Sequence, residues 1–269
     1  MQRGVHPILS EAQRKTDSVC RGLLIVNADD WGRDAQNTDR TRDCIMRGTV
    51  SSVSAMVFMS DSERAAEIAR ERGIDAGLHL NFTTPFSARY CVGALREHQG
   101  KVAEYLNKYK FAQVVCHPGL RGSFAYLVEA QREEFRRLYG AQATRLDGHH
   151  HMHLCANVLL AKLLPTGSLV RRNFSFQRGE KSYANLLYRQ VVDNLLAKRH
   201  RLTDYFFSLP PIEPRSRVER IVALARKFTV ELETHPVNRE EYGFLMEGGT
   251  LGWIPDVPVA SRFALSTAS

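Results

Sequence analysis

Two neighbouring carboxylates follow a strongly apolar run near the start of the chain, Leu23-Leu24-Ile25-Val26-Asn27-Ala28-Asp29-Asp30-Trp31-Gly32. Such a run without alternation is typical of a strand covered on both faces, and ligands gather at the carboxyl ends of such strands. Adjacent aspartates resist desolvation unless solvent, hydrogen-bond donors or a cation lies beside them. Because neighbouring strand residues face opposite sides, we expect Asp29 and Asp30 to differ, one binding metal and one handling a proton. A plain loop cap before Gly32 is the alternative.

The densest group of potential metal ligands is the segment Thr144-Arg145-Leu146-Asp147-Gly148-His149-His150-His151-Met152-His153-Leu154. Four histidines directly after a strand-like segment are hard to explain by core packing, which favours metal binding. In an extended chain His149, His151 and His153 share a face, whereas in a helix His149 pairs with His153. The spacing leaves open which of them bind.

Three other positions carry reactive side chains. His79 lies among apolar residues in a predicted strand over 76–81, where a lone histidine is more often a core residue than a ligand. His235 follows the last clear strand, residues 228–232, and the proline after it stops the ladder, so His235 is a candidate acid or base. Cys116-His117 is interpreted as a turn after a strand, because adjacent residues rarely face each other productively.

Alternating strand and helix patterns position these residues. Besides the run that begins at Leu23, the pattern predicts strands over 50–59, 76–81, 205–209 and 228–232. Helices are predicted over 37–47, from Ser60 with a Ser60–Glu63 capping box, and over 101–110, 123–139, 183–198 and from Ser216. Residues 1–20 are expected to be an N-terminal extension, 21–250 one barrel domain, and 251–269 a C-terminal tail of unassigned structure.

Composition restricts the class of protein. A chain of 269 residues with 43% hydrophobic content can bury a sizeable core. This length suits one α/β barrel as well as two small domains, and we favour one domain. Five scattered cysteines form no CxxC pair, which argues against a disulfide framework and a thiolate zinc site and indicates a reducing cytoplasm. They are Cys20, Cys44, Cys91, Cys116 and Cys155. The start resembles no secretory signal and no run is long enough for a membrane span, so we expect a cytoplasmic protein without a membrane partner.

The formal net charge of +8 raises the question of nucleic-acid binding. The basic residues are dispersed: Arg171 and Arg172 lie far from the run over 198–201, and other arginines alternate with glutamates. We therefore expect a solvated surface and no nucleic-acid partner. A weaker hypothesis is that the summed charge attracts an acidic polysaccharide.

In combination, these motifs resemble the YdjC-like carbohydrate deacetylases. The resemblance rests on Asn27-Ala28-Asp29-Asp30-Trp31-Gly32, Gly77-Leu78-His79-Leu80, Asp147-Gly148-His149-His150-His151 and His235-Pro236, in that order. It implies a single-domain α/β fold, an irregular (β/α) TIM-like barrel related to metal-dependent polysaccharide deacetylases. It also implies hydrolysis of N-acetyl groups on an amino sugar in an oligo- or polysaccharide, and a homodimer.

The resemblance assigns Asp30, His79 and His149 as metal ligands, Asp29 as catalytic base and His235 as acid. It implies one divalent ion, Mg²⁺ in similar proteins, although imidazole ligands suit Zn²⁺, Ni²⁺ or Co²⁺ better. The chain departs from the family pattern where Trp31 replaces the usual Phe. It departs again after Pro236, where the usual closing helix and strand are not evident.

The resemblance also implies a mechanism. A metal-activated water attacks the amide, Asp29 takes the proton of the water, and His235 donates a proton to the leaving sugar nitrogen. A metal-dependent phosphoesterase and a catalytically inactive carbohydrate-binding relative are the alternatives. The sugar, its chain length and its linkage are not encoded in any motif, and neither are the residues that bind it.

Overall fold

The structure, a computed structural model, describes residues 22–109, 111–176 and 180–247, together with Ala260 and Phe263. The predicted N-terminal extension, residues 1–20, lies outside these residues. The predicted tail, residues 251–269, lies outside them as well, apart from Ala260 and Phe263. Within the described parts of the chain, no helix has the length and apolarity that crossing a bilayer requires.

Strands and helices alternate along the chain, as the sequence pattern predicts. The strands are β1 (Leu23–Trp31), β2 (Ser52–Ala55), β3 (Ala76–Leu80), β4 (Arg145–Gly148), β5 (Leu169–Val170), β6 (Tyr205–Ser208) and β7 (Thr229–Thr234). The α-helices are α1 (Ala35–Arg47), α2 (Ser62–Arg72), α3 (Gly93–Lys108), α4 (Arg121–Tyr139), α5 (Ala156–Leu160), α6 (Tyr183–Ala197), α7 (Arg215–Leu224) and α8 (Arg239–Met246). Two 3₁₀ turns, Pro118–Leu120 and His149–Leu154, complete the described elements.

The seven strands form one parallel sheet in the order β5-β4-β3-β2-β1-β7-β6. This is chain order taken around a circle, and backbone hydrogen bonds connect the β5 region to the segment that leads into β6. The amide of Val170 donates to the carbonyl oxygen of Arg201 over 2.9 Å. The amide of Arg201 donates to the carbonyl oxygen of Ser168 over 3.0 Å. The predicted irregular TIM-like barrel is therefore confirmed.

β1 is an interior strand of the sheet, because it pairs with both β2 and β7. Eight of its nine residues are buried, as its apolar run predicts. Leu24 and Val26 belong to the main hydrophobic core. Asn27 and Asp29 also lie buried but make polar contacts with other strands. The strand thus contributes apolar side chains to the core and polar side chains to the barrel interior.

The barrel interior contains charged side chains, and a glycine leaves space for one of them. Arg145 of β4 crosses it to donate to the carbonyl oxygen of Val53 over 2.6 Å, with Asn27 Oδ1 at 3.3 Å. A Cβ atom at Gly77 would lie 2.6 Å from Arg145 Nε. Gly77 therefore leaves the space that this guanidinium needs.

The structure corrects the predicted start of the second helix. The helix begins at Ser62, and the preceding Asp61 makes no side-chain capping bond. Ser62 Oγ instead accepts a hydrogen bond from the amide of Met59 over 2.8 Å. The predicted Ser60–Glu63 capping box is therefore wrong, because the N-cap is Asp61, one residue later than that motif requires.

Four other predictions differ from the structure. The predicted strand over 50–59 is shortened to β2, and the helix predicted over 101–110 begins at Gly93. No strand precedes Cys116-His117 within residues 111–115, and a 3₁₀ turn follows the pair. A helix does follow Pro236: α8, which Asn238 caps by accepting from the amide of Glu240. The expected loss of a closing helix is therefore wrong.

Candidate metal centre

Asp30, His79 and His149 meet at the carboxyl ends of the strands, although they lie far apart in the sequence. Asp30 Oδ1 is 2.9 Å from His149 Nδ1 and 3.5 Å from His79 Nε2. The three ligand atoms lie within 4.8 Å of one another, and all three side chains are buried. We call these residues the ligand cluster. Parallel strands direct their carboxyl ends to one mouth, so three distant segments can supply one site.

Asp30 leaves the regular geometry of β1. The pairing of β1 with β2 is irregular between Ala28 and Trp31, and Asp30 has a φ of 63°, in the left-handed region. His79 Nε2 is 3.5 Å from Asp30 Oδ1 and 3.9 Å from Asp29 Oδ2, so both carboxylates reach the same imidazole. The interpretation that they face opposite sides is therefore wrong, because the bulge rotates Asp30.

His79 is oriented by a second carboxylate. Its Nδ1 is 2.8 Å from Asp147 Oδ1, and Ser54 Oγ donates to Asp147 Oδ2 over 2.5 Å. Burial alone would lower the pKa of His79, but the Asp29 and Asp147 carboxylates outweigh it and raise the pKa to about 10. The Asp147 bond fixes a proton on Nδ1, so the surrounding negative charge favours a proton or a metal cation at Nε2.

The histidine segment after β4 is neither extended nor α-helical. It forms the 3₁₀ turn His149–Leu154, in which His150 and His151 have φ values of 54° and 56°. A Cβ atom at Gly148 would lie 3.0 Å from the backbone nitrogen of His153. The glycine therefore permits the chain to fold back tightly. Neither the extended nor the helical arrangement of the histidines that the spacing left open is present here.

Of the three histidines that the sequence left open, only His149 contributes to the ligand cluster. His151 Nε2 is 3.6 Å from Glu233 Oε2. His153 Nε2 is 3.0 Å from the carbonyl oxygen of Arg171, and burial lowers the pKa of His153 to about 4. His153 is therefore neutral near pH 7 and donates to that carbonyl oxygen.

Asp29 lies beside the ligand cluster and is held by a guanidinium. Arg171 Nη1 donates to Asp29 Oδ2 over 2.6 Å, Arg171 Nη2 donates to Asp29 Oδ1 over 2.8 Å, and Asn27 Nδ2 donates to Asp29 Oδ1 over 2.9 Å. Burial alone would raise the pKa of Asp29, but the charges of Arg171 and His79 outweigh it, and the pKa is lowered. Asp29 is therefore an ionised carboxylate in a fixed orientation.

Arg171 lies in the barrel interior, so the prediction of a solvated position is wrong. Its side chain is 1% exposed, and it also contacts Asp147 Oδ2 at 3.0 Å and Glu231 Oε1 at 2.7 Å. Its neighbour Arg172 is partly exposed and pairs with Asp193 at 2.8 Å. The two consecutive arginines therefore have different environments, the first in the barrel interior and the second against α6.

His235 lies at the end of β7, outside the ligand cluster but near Asp29. Its Nδ1 is 3.8 Å from Glu233 Oε1, and ligand atoms of Asp29, Glu233 and His235 lie within 4.8 Å of one another. The amide of His235 donates to Glu241 Oε2 of α8 over 2.8 Å. Burial and then the charge of Asp29 raise the pKa of Glu233 well above its ordinary value. These interactions favour the protonated form of Glu233 relative to an exposed glutamate.

The ligand cluster has the chemistry of a divalent cation site. One carboxylate oxygen and two imidazole nitrogens converge, which is the donor set of many catalytic metal sites and leaves coordination positions open. Asp30 Oδ1 is buried and has no well-oriented hydrogen bond among the described residues. A buried anionic oxygen of this kind requires a positive partner, so the residues present fit a metal ion.

The comparison with protein families decides the class of protein. A family model described as YdjC-like protein matches residues 23–246. The chain belongs to the YdjC-like family. The resemblance predicted from its motifs is therefore confirmed, and the matched region includes every residue of the ligand cluster together with Asp29 and His235.

Known relatives of this YdjC-like chain include carbohydrate deacetylases. It is 34% identical over 146 residues to a carbohydrate deacetylase of Mus musculus, covering 51% of this chain and 45% of the relative. It is 31% identical over 139 residues to a chitooligosaccharide deacetylase of Yersinia pestis (strain Pestoides F), covering 51% and 52%. The chain thus matches about half the length of these curated relatives.

The YdjC-like barrel also resembles a solved structure. It superimposes with a TM-score of 0.56 on a crystal structure from Enterococcus faecalis V583 of a protein thought to cleave cellobiose-phosphate. The match covers 90% of this chain and 97% of the other, at 18% sequence identity. At that identity the likeness shows the fold alone.

Several polar residues of the YdjC-like site are not among the sequence predictions. They are Asn27, Ser54, Arg171, Glu231, Glu233 and Glu241. Asp147 lies within the predicted histidine segment but was given no role there. The signal for Glu231 and Glu233 was their alternation along β7, because carboxylates two residues apart on a buried strand share one face.

Proposed function

We propose that the protein is a metal-dependent hydrolase that removes N-acetyl groups from an amino sugar in an oligo- or polysaccharide. The main support is the convergence of Asp30, His79 and His149 beside the ionised Asp29 at the mouth of the barrel. Relatives named carbohydrate deacetylase and chitooligosaccharide deacetylase support the substrate class. An N-acetylated chitooligosaccharide is therefore the first substrate to test.

Asp30, His79 and His149 would hold one divalent ion. Two imidazoles and one carboxylate suit Zn²⁺, Ni²⁺ or Co²⁺ on grounds of ligand softness, and the family resemblance favours Mg²⁺. When bound, the ion would lower the pKa of water and polarise the amide carbonyl. Asp147 would keep the His79 ring in the orientation that binding requires, through its 2.8 Å contact with Nδ1.

Asp29 would act as the general base. It accepts a proton from the attacking water while the water oxygen forms a bond to the amide carbon. The two bonds from Arg171 orient both carboxylate oxygens, which restricts the geometry of proton transfer. They also lower the pKa of Asp29, which weakens it as a base, so this arrangement favours orientation over basicity.

His235 would act as the general acid. As the C–N bond breaks, it donates a proton to the sugar nitrogen, so that the products are acetate and a free amine. Its side chain is about one-third exposed, with Nδ1 facing Glu233, and therefore combines access to substrate with a fixed orientation. The bond from its amide to Glu241 holds the end of β7 in place.

A two-metal phosphoesterase is less well supported. Two further groups have ligand atoms within 4.8 Å of one another, Asp29 with Glu233 and His235, and Asp29 with His79 and Asp147, so a second ion in either would use Asp29. Both oxygens of Asp29 already accept hydrogen bonds from Arg171, and that guanidinium would repel a second cation.

Incubation of the purified full chain with N-acetylated chitooligosaccharides tests this function. After treatment with a chelator, the protein is reloaded with Mg²⁺, Zn²⁺, Ni²⁺ or Co²⁺, and acetate release is measured beside cleavage of a generic phosphodiester. We expect acetate release that depends on added metal and is absent from Asp30→Ala. Phosphodiester cleavage alone would indicate a phosphoesterase, and sugar binding without either reaction would indicate an inactive relative.

A further inference from the structure

The backbone at His150 and His151 has an unusual conformation. Both residues lie in the left-handed region, with φ values of 54° and 56°, which is unfavourable for side chains with a Cβ atom. Backbone strain of this kind is common at functional sites, and here it lies directly beside a residue of the ligand cluster. The two imidazoles contact different parts of the barrel: that of His150 contacts Thr83, which follows β3, and that of His151 lies near Glu233 of β7.

His150 is fixed beside the ligand cluster, yet its side chain is exposed. Its ring stacks on the ring of His149 with centroids 4.0 Å apart and an interplanar angle of 29°. Thr83 Oγ1 is 3.0 Å from His150 Nδ1. Thr83 is itself buried, with its amide bonded to Asn81 Oδ1 and its carbonyl oxygen to Asn107 Nδ2. The stacking on His149 and the contact with Thr83 together therefore fix the orientation of the His150 imidazole.

The other ring nitrogen of His150 has no recorded partner among the residues that the structure describes. Because Thr83 contacts Nδ1 and the side chain is exposed, Nε2 is available to a molecule bound beside the ligand cluster. A hydroxyl group both donates and accepts, so it can pair with Nε2 in either tautomer. In an N-acetylated chitooligosaccharide, the ring carbon next to the one that carries the amide bears a free hydroxyl group, and the amide lies at the ligand cluster in the proposed reaction.

We propose that His150 Nε2 forms a hydrogen bond with a hydroxyl group of the sugar that carries the scissile N-acetyl group. This makes His150 a substrate-binding residue. The proposal rests on the proposed deacetylase function and goes beyond it, because it assigns recognition of the sugar ring to a residue that does not bind metal. The left-handed backbone and the Thr83 contact then serve to present the imidazole to the substrate.

Replacement of His150 by glycine removes the imidazole and tolerates the left-handed backbone. The matched control is Lys162→Gly, because Lys162 has a φ of 55° and lies beside the short helix α5, outside the site. For an N-acetylated chitooligosaccharide we expect His150→Gly to raise KM about threefold to tenfold, the effect of one lost hydrogen bond, with kcat nearly unchanged. Lys162→Gly should keep the KM and kcat of the unaltered protein.

Metal affinity separates substrate binding from an indirect effect through His149. Titration with Ni²⁺ should give the same Kd for His150→Gly and for the unaltered protein, and His150→Asn should recover part of the KM. An unchanged KM in His150→Gly would overturn the proposal, and so would a loss of Ni²⁺ affinity by the same factor as the rise in KM. Absence of acetate release from the unaltered protein with every metal would instead reject the deacetylase function and this proposal with it.

Discussion

Arg171 donates one hydrogen bond to each carboxylate oxygen of Asp29, over 2.6 and 2.8 Å, although the two residues are 142 positions apart. Both side chains are buried, so neither charge is screened by water. A bidentate pair of this kind fixes the plane of the carboxylate and keeps it ionised. The proposed base is therefore positioned by β5 and not only by its own strand.

Asp29→Asn should abolish turnover while metal binding persists. An amide cannot accept the proton of water, so we expect kcat to fall by about 10²–10⁴-fold, the usual contribution of a general base. The Kd for Ni²⁺, measured by titration, should stay close to that of the unaltered protein, because Asp29 is not in the ligand cluster. Asp39→Asn, on the exposed face of α1, is the control. Full activity in Asp29→Asn would reject Asp29 as the base.

Arg171→Met should destabilise the protein far more than Arg172→Met. The first change leaves Asp29, Asp147 and Glu231 buried without their shared guanidinium, which costs about 3–5 kcal/mol. The second removes a partly exposed pair with Asp193, for which about 1 kcal/mol is expected. Urea unfolding of the two variants measures the difference. Equal losses would show that the interior charges do not depend on Arg171.

The sequence predicted an α/β fold because its first strand begins as an uninterrupted apolar run and because strands and helices alternate. It missed β5, since two residues, Leu169 and Val170, carry no periodicity. It also missed α5, which covers only Ala156–Leu160. Elements this short are defined by hydrogen bonds to distant residues, such as those that connect Val170 and Arg201, and not by local pattern.

The ligand cluster was predicted by family resemblance, and local spacing could not have selected it. Strand alternation placed Asp29 and Asp30 on opposite sides, but the left-handed φ of Asp30 brings both to His79. Spacing could not choose His149, because a 3₁₀ turn replaces both regular alternatives. Arg171 was interpreted as surface charge, since the carboxylates that bury it are distant in sequence. The ion pairs of Arg171 depend on the three-dimensional fold, which brings these distant carboxylates together.

Asp30→Ala should remove metal binding. A tightly bound ion at a hundred times its Kd stabilises a protein by about 2.7 kcal/mol, which appears as a higher Tm. We expect Zn²⁺ or Ni²⁺ to raise the Tm of the unaltered protein and of Asp39→Ala, and a chelator to reverse the shift. Asp30→Ala should show no shift at the same concentrations. A retained shift would place the ion elsewhere.

Asp147→Asn should weaken metal binding without abolishing it. Asp147 contacts His79 Nδ1 and is not itself in the ligand cluster, and loss of such an orienting carboxylate costs about 10–100-fold in affinity or activity. Ser54→Ala is the control, because it removes the bond to the other Asp147 oxygen and leaves the His79 contact. Equilibrium dialysis should show a much larger loss for Asp147→Asn. Equal Kd values would contradict an orienting role.

His153 should make the fold sensitive to mild acid. Burial lowers its pKa from 6.5 to about 4, so the unfolded chain binds a proton between these values and the folded chain does not. Stability from this group is complete above pH 6.5 and decreases as pH falls toward 4, by about 1.4 kcal/mol per pH unit and about 3 kcal/mol in total.

His153→Gln tests this prediction, because glutamine can still donate to the carbonyl oxygen of Arg171 but does not titrate. Urea unfolding at pH 7, 6 and 5 with a chelator present excludes any contribution from bound metal. The free energy of unfolding should fall less steeply with pH in His153→Gln than in the unaltered protein, by about 1 kcal/mol per pH unit. Identical slopes would mean that the buried imidazole is already protonated in the fold, and that the 3₁₀ turn does not depend on a neutral His153.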